Sequence, residues 1–438
     1  MNFAFALSHH VNRSISCWIA ALLWASWTLA ASSLPAQTAS GDVNVRVQEP
    51  FDGGEEFLKV WDLVNTRFYR ADFNGVDWAA AKETYLPRAK AATSLEELAP
   101  IVNEMLGLLK TSHTNYYTTA DPEYYYLFGI FSDGPLAVEA ERRFPDGAVQ
   151  FDSLGLLTKQ VEGKWFVSGV LDGSPAAEAG IFRGNEIISL NGQPFQPVRP
   201  LQGLAARGEE VTLEIQTTSE HSSRRKLKLR PVSMKPVPTM LEAMKRSMRV
   251  LPQGGKQIAY VHVWCYAGRQ YHDLLTEELT MGSLKDADAL VLDLRDGWGG
   301  ASPEYLNLFN RKIPQMIAVT REKQELYLES QWRKPVVLLI NGGSRSGKEL
   351  FAYGFRKLGI GPVVGERTAG AVTGGTVIPL SDHSLLYLCV MGMQVDGEIL
   401  EGVGVAPDHE VPWPLPYASA KDPQLERALQ LLVGEAGR

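Results

Sequence analysis

The sequence predicts a mixed α/β protein: a helical N-terminal segment, a strand-rich insert and an α/β core. Three observations lead there. Within residues 51–110, FLKVWDLVNTRFY and LEELAPIVNEMLGLL repeat apolar residues at three- and four-residue steps, the period of a helix with one buried face. Residues 130–233 instead carry runs such as VTLEIQT and KLKLRPV, which alternate apolar and polar residues between polar turns. Residues 234–415 intersperse apolar strands (QIAYVHVW, ALVLDLR, PVVLLIN, GPVVGE) with helical stretches, an α/β pattern.

Composition is that of an ordinary globular chain. Its 438 residues are 45% hydrophobic and 21% charged, which suits two or three domains. The net charge of -7 implies no broad basic surface, so nucleic acid is not an expected partner. The densest basic run, Arg224 to Arg230, alternates at its end like a strand with one solvated face.

Residues 1–36 read as a secretory signal peptide. Arg13 closes a weakly basic start, Cys17 to Ala31 form an uncharged apolar run, and small residues follow. That run is shorter than the roughly 20 apolar residues a membrane span needs. A periplasmic or secreted location is therefore expected, with an uncleaved N-terminal anchor as the alternative and no other membrane association. Only Cys265 and Cys389 remain after cleavage, too few for a disulfide framework, and no CxxC pair suggests zinc. Residues 37–50 are a polar linker.

The helical segment is assigned to residues 51–129. Asp77 precedes one helix. Ser94, with Glu97 three residues on, forms a capping box before another, expected to stop at Lys110. Thr111-Ser112-His113-Thr114 follows at once. A Ser-His pair at a helix end is by itself a satisfied turn; it gains meaning only if a nucleophile lies elsewhere.

The strand-rich insert, residues 130–233, contains 168-SGVLDGSPAAEAGIFRGNEIISLNGQPF-195. It reads as strand, turn, short helix from Pro175 to Ala179, a turn at Arg183-Gly184-Asn185, a strand from Glu186 to Leu190 and a tight Asn191-Gly192 turn. This stretch resembles the PDZ signature. The resemblance implies capture of a peptide's C-terminus by strand addition at a sheet edge. The carboxylate would sit on backbone N–H groups of Leu154, Gly155 and Leu156, where Gly155 lets the backbone approach closely.

Two glycine-rich turns punctuate the core, residues 234–415, which a C-terminal helix follows over 416–438. In 290-LVLDLRDGWGGAS-302 a buried strand runs into Gly297, Gly299 and Gly300, a turn that can leave N–H groups pointing at one spot. In 337-VLLINGGSRSGKELFAYG-354, Gly342, Gly347 and Lys348 mimic a phosphate-binding P-loop. The position after the lysine must then be Ser or Thr to bind magnesium. Here it is Glu349, a carboxylate where phosphates would lie, so the turn presents a serine instead. A serine between strand and helix has an exposed hydroxyl and unpaired neighbouring N–H groups.

The order S-H-T, PDZ, D-L-R-x-x-x-G-G, N-x-x-S-x-S-x-x-E, G-E-x-T-x-G and E-G-x-G-V-x-P-D resembles the tail-specific, C-terminal processing peptidases of family S41. Here the motifs are Ser112 to Thr114, Asp293 to Gly300, Asn341 to Glu349, Gly365 to Gly370 and Glu401 to Asp408. The resemblance implies a crotonase-like ββα core and a nucleophile three residues before the Glu, which is Ser346, with Ser344 the next choice. One branch of the family uses a lysine directly after G-E-x-T-x-G; that position is Ala371, so a Ser-Lys dyad is absent. Lys348 is expected to project away along its helix. The tricorn-like branch uses a Ser-His pair and a late Glu, matched by Ser112, His113 and Glu401. The GVDW at Gly75 to Trp78 also looks like that branch.

The implied chemistry is coherent. His113 serves as base and then acid, Ser112 links it to Glu401, and Gly347 with Gly299 or Gly300 forms the oxyanion hole. The expected partners are proteins or peptides with free C-termini. No cofactor motif and no metal spacing is present among the other histidines. The rival reading is a non-catalytic binder of ligands or peptides on the same fold.

Overall fold

The computed structural model describes residues 51–434, apart from 133, 134, 145, 146, 329 and 419. The signal-peptide and linker readings of residues 1–50 lie outside the described residues.

The first three α-helices each begin where a side chain caps them. Asp52 accepts from the N–H groups of Gly54 and Glu55 at the head of Gly53–Arg67. Asp77 accepts from Ala80 at the head of Trp78–Ala91. The third helix, Leu95–Gly107, starts at Ser94, whose hydroxyl accepts from the Glu97 N–H at 3.3 Å. The return half of that capping box is displaced by one residue: the Glu97 carboxylate accepts from the Thr93 N–H (2.8 Å) and hydroxyl (2.9 Å). The helix also ends before Lys110, because Leu108, Leu109 and Lys110 each donate to a carbonyl three residues back. The three helices bury Phe57, Val60 and Val64, then Trp78, Ala81 and Tyr85, then Leu98, Val102 and Met105, in one apolar cluster.

Two residues past His113, strand Asn115–Thr118 pairs antiparallel with Ser384–Met391, which in turn pairs with Gly374–Ser381. This small sheet joins the N-terminal segment to the core across some 270 residues of chain. Asn103 locks it to the helices. Its side-chain amide donates to the Tyr116 carbonyl (2.8 Å) and accepts from the Tyr116 N–H (2.7 Å), as a neighbouring strand would.

The core holds a six-stranded sheet. Lys256–His262, Ala289–Asp293, Val336–Ile340, Val363–Gly365 and His409–Glu410 run parallel in that order, and Arg249–Gln253 adds antiparallel to the first. Parallel strands covered on both faces read as continuous apolar runs, and Ala289–Asp293 and Val336–Ile340 are buried throughout. Val261, Leu290, Leu292, Leu338 and Ile340 join the cluster that includes Phe351 and Phe355 of helix Gly347–Lys357. Val291, Val337 and Leu339 face the opposite way and meet Ala428 and Leu432 of helix Pro423–Gly434.

The β-rich region is a five-stranded antiparallel sheet ordered Leu156–Val161, Lys164–Val170, Glu186–Leu190, Val211–Gln216 and Arg224–Leu229, with its own apolar cluster. Leu156–Val161 is an edge strand. Side-chain contacts tie this region to the core: Trp264 Nε1 donates to Asp172 (2.9 Å), and Arg183 reaches Asp296 (3.5 Å) and the Trp413 carbonyl (3.5 Å). The architecture is thus mixed α/β, with N-terminal helices and a β-rich region. Among the described residues no helix is long and apolar enough to cross a membrane.

Asn103→Ala would strip two partners from the Tyr116 backbone. We expect a loss of about 1–3 kcal/mol, read as a lowered urea midpoint. An unchanged midpoint would show that the small sheet does not depend on this lock.

Candidate active site

Ser346 stands between strand Val336–Ile340 and helix Gly347–Lys357, as the N-cap of that helix. Its backbone has φ 56° and ψ -128°, a region L-residues rarely adopt. A strained strand-to-helix turn of this kind presents the hydroxyl outward. The turn is anchored on both sides. Ser344 is fully buried, and its hydroxyl donates to the Leu294 carbonyl at 2.9 Å, so it is not an available nucleophile. Glu349, also fully buried, accepts four hydrogen bonds: from Ser346 N–H (3.0 Å), Ala371 N–H (2.8 Å), Gly370 N–H (2.7 Å) and the Thr368 hydroxyl (2.6 Å). Burial pushes its carboxyl upward, against these four bonds.

The second glycine turn presses on the first. A Cβ on Gly299 would lie 2.7 Å from Ser346 Cβ, and one on Gly347 would lie 2.3 Å from the Ala301 nitrogen. Only glycine fits this approach. The N–H groups of Gly299, Gly300 and Gly347 have no acceptor among the described residues, which leaves them free to bind an oxyanion. Lys348 turns to the other side of the helix. It is fully buried, and its ammonium donates to the carbonyls of Asp296 (2.7 Å) and Trp264 (3.4 Å), bracing the glycine turn from beneath. Burial lowers its pKa to about 8. Beside it, buried Asp293 pairs with Arg295 at 2.5 Å. Burial alone would raise that carboxyl, and the guanidinium overrides it and holds it low.

The histidine arrives from the far end of the chain. His113 also has φ 56°. Its Nδ1 lies 2.8 Å from Ser112 Oγ, which donates to Glu401 Oε2 at 2.9 Å; Glu401 Oε1 accepts from the Ser112 N–H at 2.7 Å. These contacts fix the tautomer. The Ser112 proton goes to the carboxylate, so Ser112 Oγ accepts from Nδ1–H, and Nε2 is left as the basic nitrogen. Glu401 Oε2 also takes the Val372 N–H at 2.7 Å. Sequence reasoning missed Thr373, whose hydroxyl lies 2.9 Å from Ser112 Oγ and 3.2 Å from His113 Nδ1. Nothing marks it in the sequence, since it becomes relevant only once Gly374–Ser381 carries it beside His113.

His113, Ser346, Gly299, Gly300, Arg345 and Ala371 line one cavity of about 720 Å³, within the size range of ligand sites. No hydrogen bond joins Ser346 to His113 among the described residues. Such bonds often close only when substrate is bound. Burial, and secondly the charge of Arg345, lowers the half-buried His113 imidazole to about 4.

The peptide-binding loop is placed differently. Leu154 is 2% exposed and packs in the β-rich cluster. The Gly155 N–H donates to Ser153 Oγ at 3.0 Å, and Ser174 fills the space where a Cβ would stand. Leu156 opens the edge strand. The cleft here, lined by Leu154, Leu156, Pro122 and Phe195, holds only about 10 Å³.

The comparisons with known proteins bear on the fold and the family. Two solved structures share the fold: a photosystem II D1 C-terminal processing protease (TM-score 0.51, 22% identity, 88% of this chain and 98% of that one) and the tricorn protease (TM-score 0.52, 20% identity, 88% and 37%). Residues 257–411 match the model of peptidase family S41, residues 54–107 that of the tricorn protease C1 domain, and residues 166–217 that of the PDZ domain. The chain is thus similar to peptidase family S41 over its core, and it carries a PDZ-domain match and tricorn-like relatives. A putative tricorn protease homolog 2 from Streptomyces coelicolor is 27% identical over 89% of this chain, and a carboxyl-terminal-processing protease from Synechocystis is 25% identical over 86%. The chain spans 33% and 36% of the length of the two Streptomyces tricorn homologs, and 86% of the Synechocystis protease.

Two outcomes follow from this geometry. The imidazole is a base only when neutral, so its titration by NMR should fall near 4 instead of the ordinary 6.5. Between those values an unfolded chain binds a proton that the native state refuses. Its stabilising contribution is therefore full above pH 6.5 and declines as pH falls toward 4. A His113 midpoint at or above 6.5 would contradict this. Separately, Glu349→Gln turns an NH₂ group toward buried donors. It should lower stability by about 3 kcal/mol in urea unfolding, and unaltered unfolding would show the clamp to be dispensable.

Proposed function

We propose that the protein is a serine endopeptidase of the tail-specific type, working through Ser346, His113, Ser112 and Glu401 instead of a Ser-Lys dyad. The observation that carries this reading is the hydrogen-bonded chain Glu401–Ser112–His113, opening on the same cavity as Ser346. His113 Nε2 takes the Ser346 proton as the hydroxyl attacks the scissile carbonyl. The resulting oxyanion sits on the N–H of Gly347 and that of Gly299 or Gly300. The imidazolium, stabilised through Ser112 by Glu401, returns the proton to the leaving amine. Water then hydrolyses the acyl-enzyme by the same route.

The finer architecture belongs to the same proposal. Residues 234–415 form a crotonase-like ββα core, 51–129 the helical segment that carries the Ser-His pair, 130–233 a PDZ domain and 416–438 a C-terminal helix. The substrates are proteins or peptides with free C-termini, recruited through Leu154, Gly155 and Leu156 at the head of the edge strand. That loop would first have to release the Gly155 N–H from Ser153. A periplasmic or secreted location follows from the reading of residues 1–36.

The gap between Ser346 and His113 favours one second reading, a binder on the same fold. Digestion of unfolded casein separates the two. Ser346→Ala and His113→Ala should each lower kcat by about 10⁶-fold while the melting temperature stays close to that of the parent. Full activity in either variant would sink the assignment. Absence of turnover in the parent protein would favour the binder.

A further inference from the structure

Arg345 has no role in the mechanism above, yet it stands next to the nucleophile. Its base is rigid, because Ser344 before it is buried and hydrogen-bonded, and Ser346 after it is held by Glu349. The side chain is exposed and lines the candidate active-site cavity, its guanidinium carbon 5.7 Å from the centre of the Trp298 ring. Among the residues lining that cavity it is the only one with a permanent charge. Much of the remaining wall is apolar: Leu127, Ile130, Phe131, Val237 and Trp298.

No carboxylate pairs with Arg345 among the described residues. One carboxylate that feels its charge, Glu123, does not line the cavity, and burial pushes it upward toward its neutral form. Tyr117 and Tyr387 line the same space, and their hydroxyls make no hydrogen bond among the described residues. Burial raises both phenols, so they remain proton donors, and both feel the Arg345 charge. A cation and two donors thus face one cavity, and among the described residues none of the three side chains has a protein hydrogen-bond acceptor.

We propose that Arg345, with Tyr117 and Tyr387, is a recognition site for a substrate carboxylate next to the scissile bond. The proposal rests on the peptidase reading and adds its substrate class: peptides with Asp or Glu flanking the cleaved bond, or ending just beyond it. Substrate entering the apolar-walled cavity displaces water from the guanidinium. A carboxylate restores its pairing, an amide does so weakly, and a lysine is repelled.

The test uses internally quenched peptides that differ only at the flanking position, Glu, Gln or Lys, each as free acid and as C-terminal amide. The parent protein should favour Glu over Gln by about tenfold in kcat/KM. Arg345→Gln should bring that ratio near one, and Arg345→Glu should shift it toward Lys. An advantage that survives amidation assigns the site to a side chain; one that amidation removes assigns it to a chain terminus. Equal rates across the series, or a ratio unchanged in Arg345→Gln, would overturn the proposal. Should the parent cleave none of the peptides, the peptidase reading fails on its own. Fluorescence anisotropy with the Ser346→Ala protein then decides the matter: tighter binding of the Glu peptide, lost when Arg345→Gln is added, supports the site, and equal binding refutes it.

Discussion

Four hydrogen bonds to the Glu349 carboxylate hold the candidate site together. They join the nucleophile turn, at Ser346, to the loop of Thr368, Gly370 and Ala371. That loop in turn meets the histidine: Val372 donates to Glu401, and Thr373 touches both Ser112 and His113. A buried carboxylate is costly unless its lone pairs are satisfied. Here satisfaction requires two segments, the Ser346–Glu349 turn and the loop of residues 368–371, to occupy fixed positions at once, so the desolvation cost enforces geometry. The strained φ at Ser346 persists on the same account, since the surrounding bonds over-determine it.

The electrostatics divide the site into two halves. Glu401 lies behind His113, reaching it only through Ser112, while Arg345 faces the open side. Burial first, and the Arg345 charge second, bias the imidazole toward its neutral, proton-accepting form before any substrate arrives. Lys348 acts below this layer, its ammonium holding the carbonyls that shape the glycine turn. The same lysine that suggests a phosphate grip in the sequence is spent inside the protein, on backbone oxygens.

Much of the fold was legible in the sequence because its strongest signals are local. Ala289–Asp293 and Val336–Ile340 are buried on both faces and read as unbroken apolar runs. Asp77 and Ser94 start their helices as their side chains dictate. What escaped depends on distant partners. Strand Asn115–Thr118 is four residues long, and its apolar pattern means nothing until Ser384–Met391 lies beside it. Thr373 and Arg345 carry no motif, and their neighbours are set by tertiary placement. The state of Gly155 turned on one hydroxyl, Ser153, finding a nearby N–H before any ligand could. The residues proposed for the chemistry were legible only through motif order, since no periodicity connects Ser112 to Glu401.

That last separation has a bearing on the life of the chain before it is complete. Ser112 and Glu401 are 289 positions apart, and two hydrogen bonds join them behind the imidazole. During synthesis the N-terminal helices, the β-rich region and most of the core sheet can form while Glu401 is still unmade. Until then the Ser112–His113 pair stands without its carboxylate partner. On the proposed mechanism, a growing chain therefore carries an unassembled site until Glu401 takes its place.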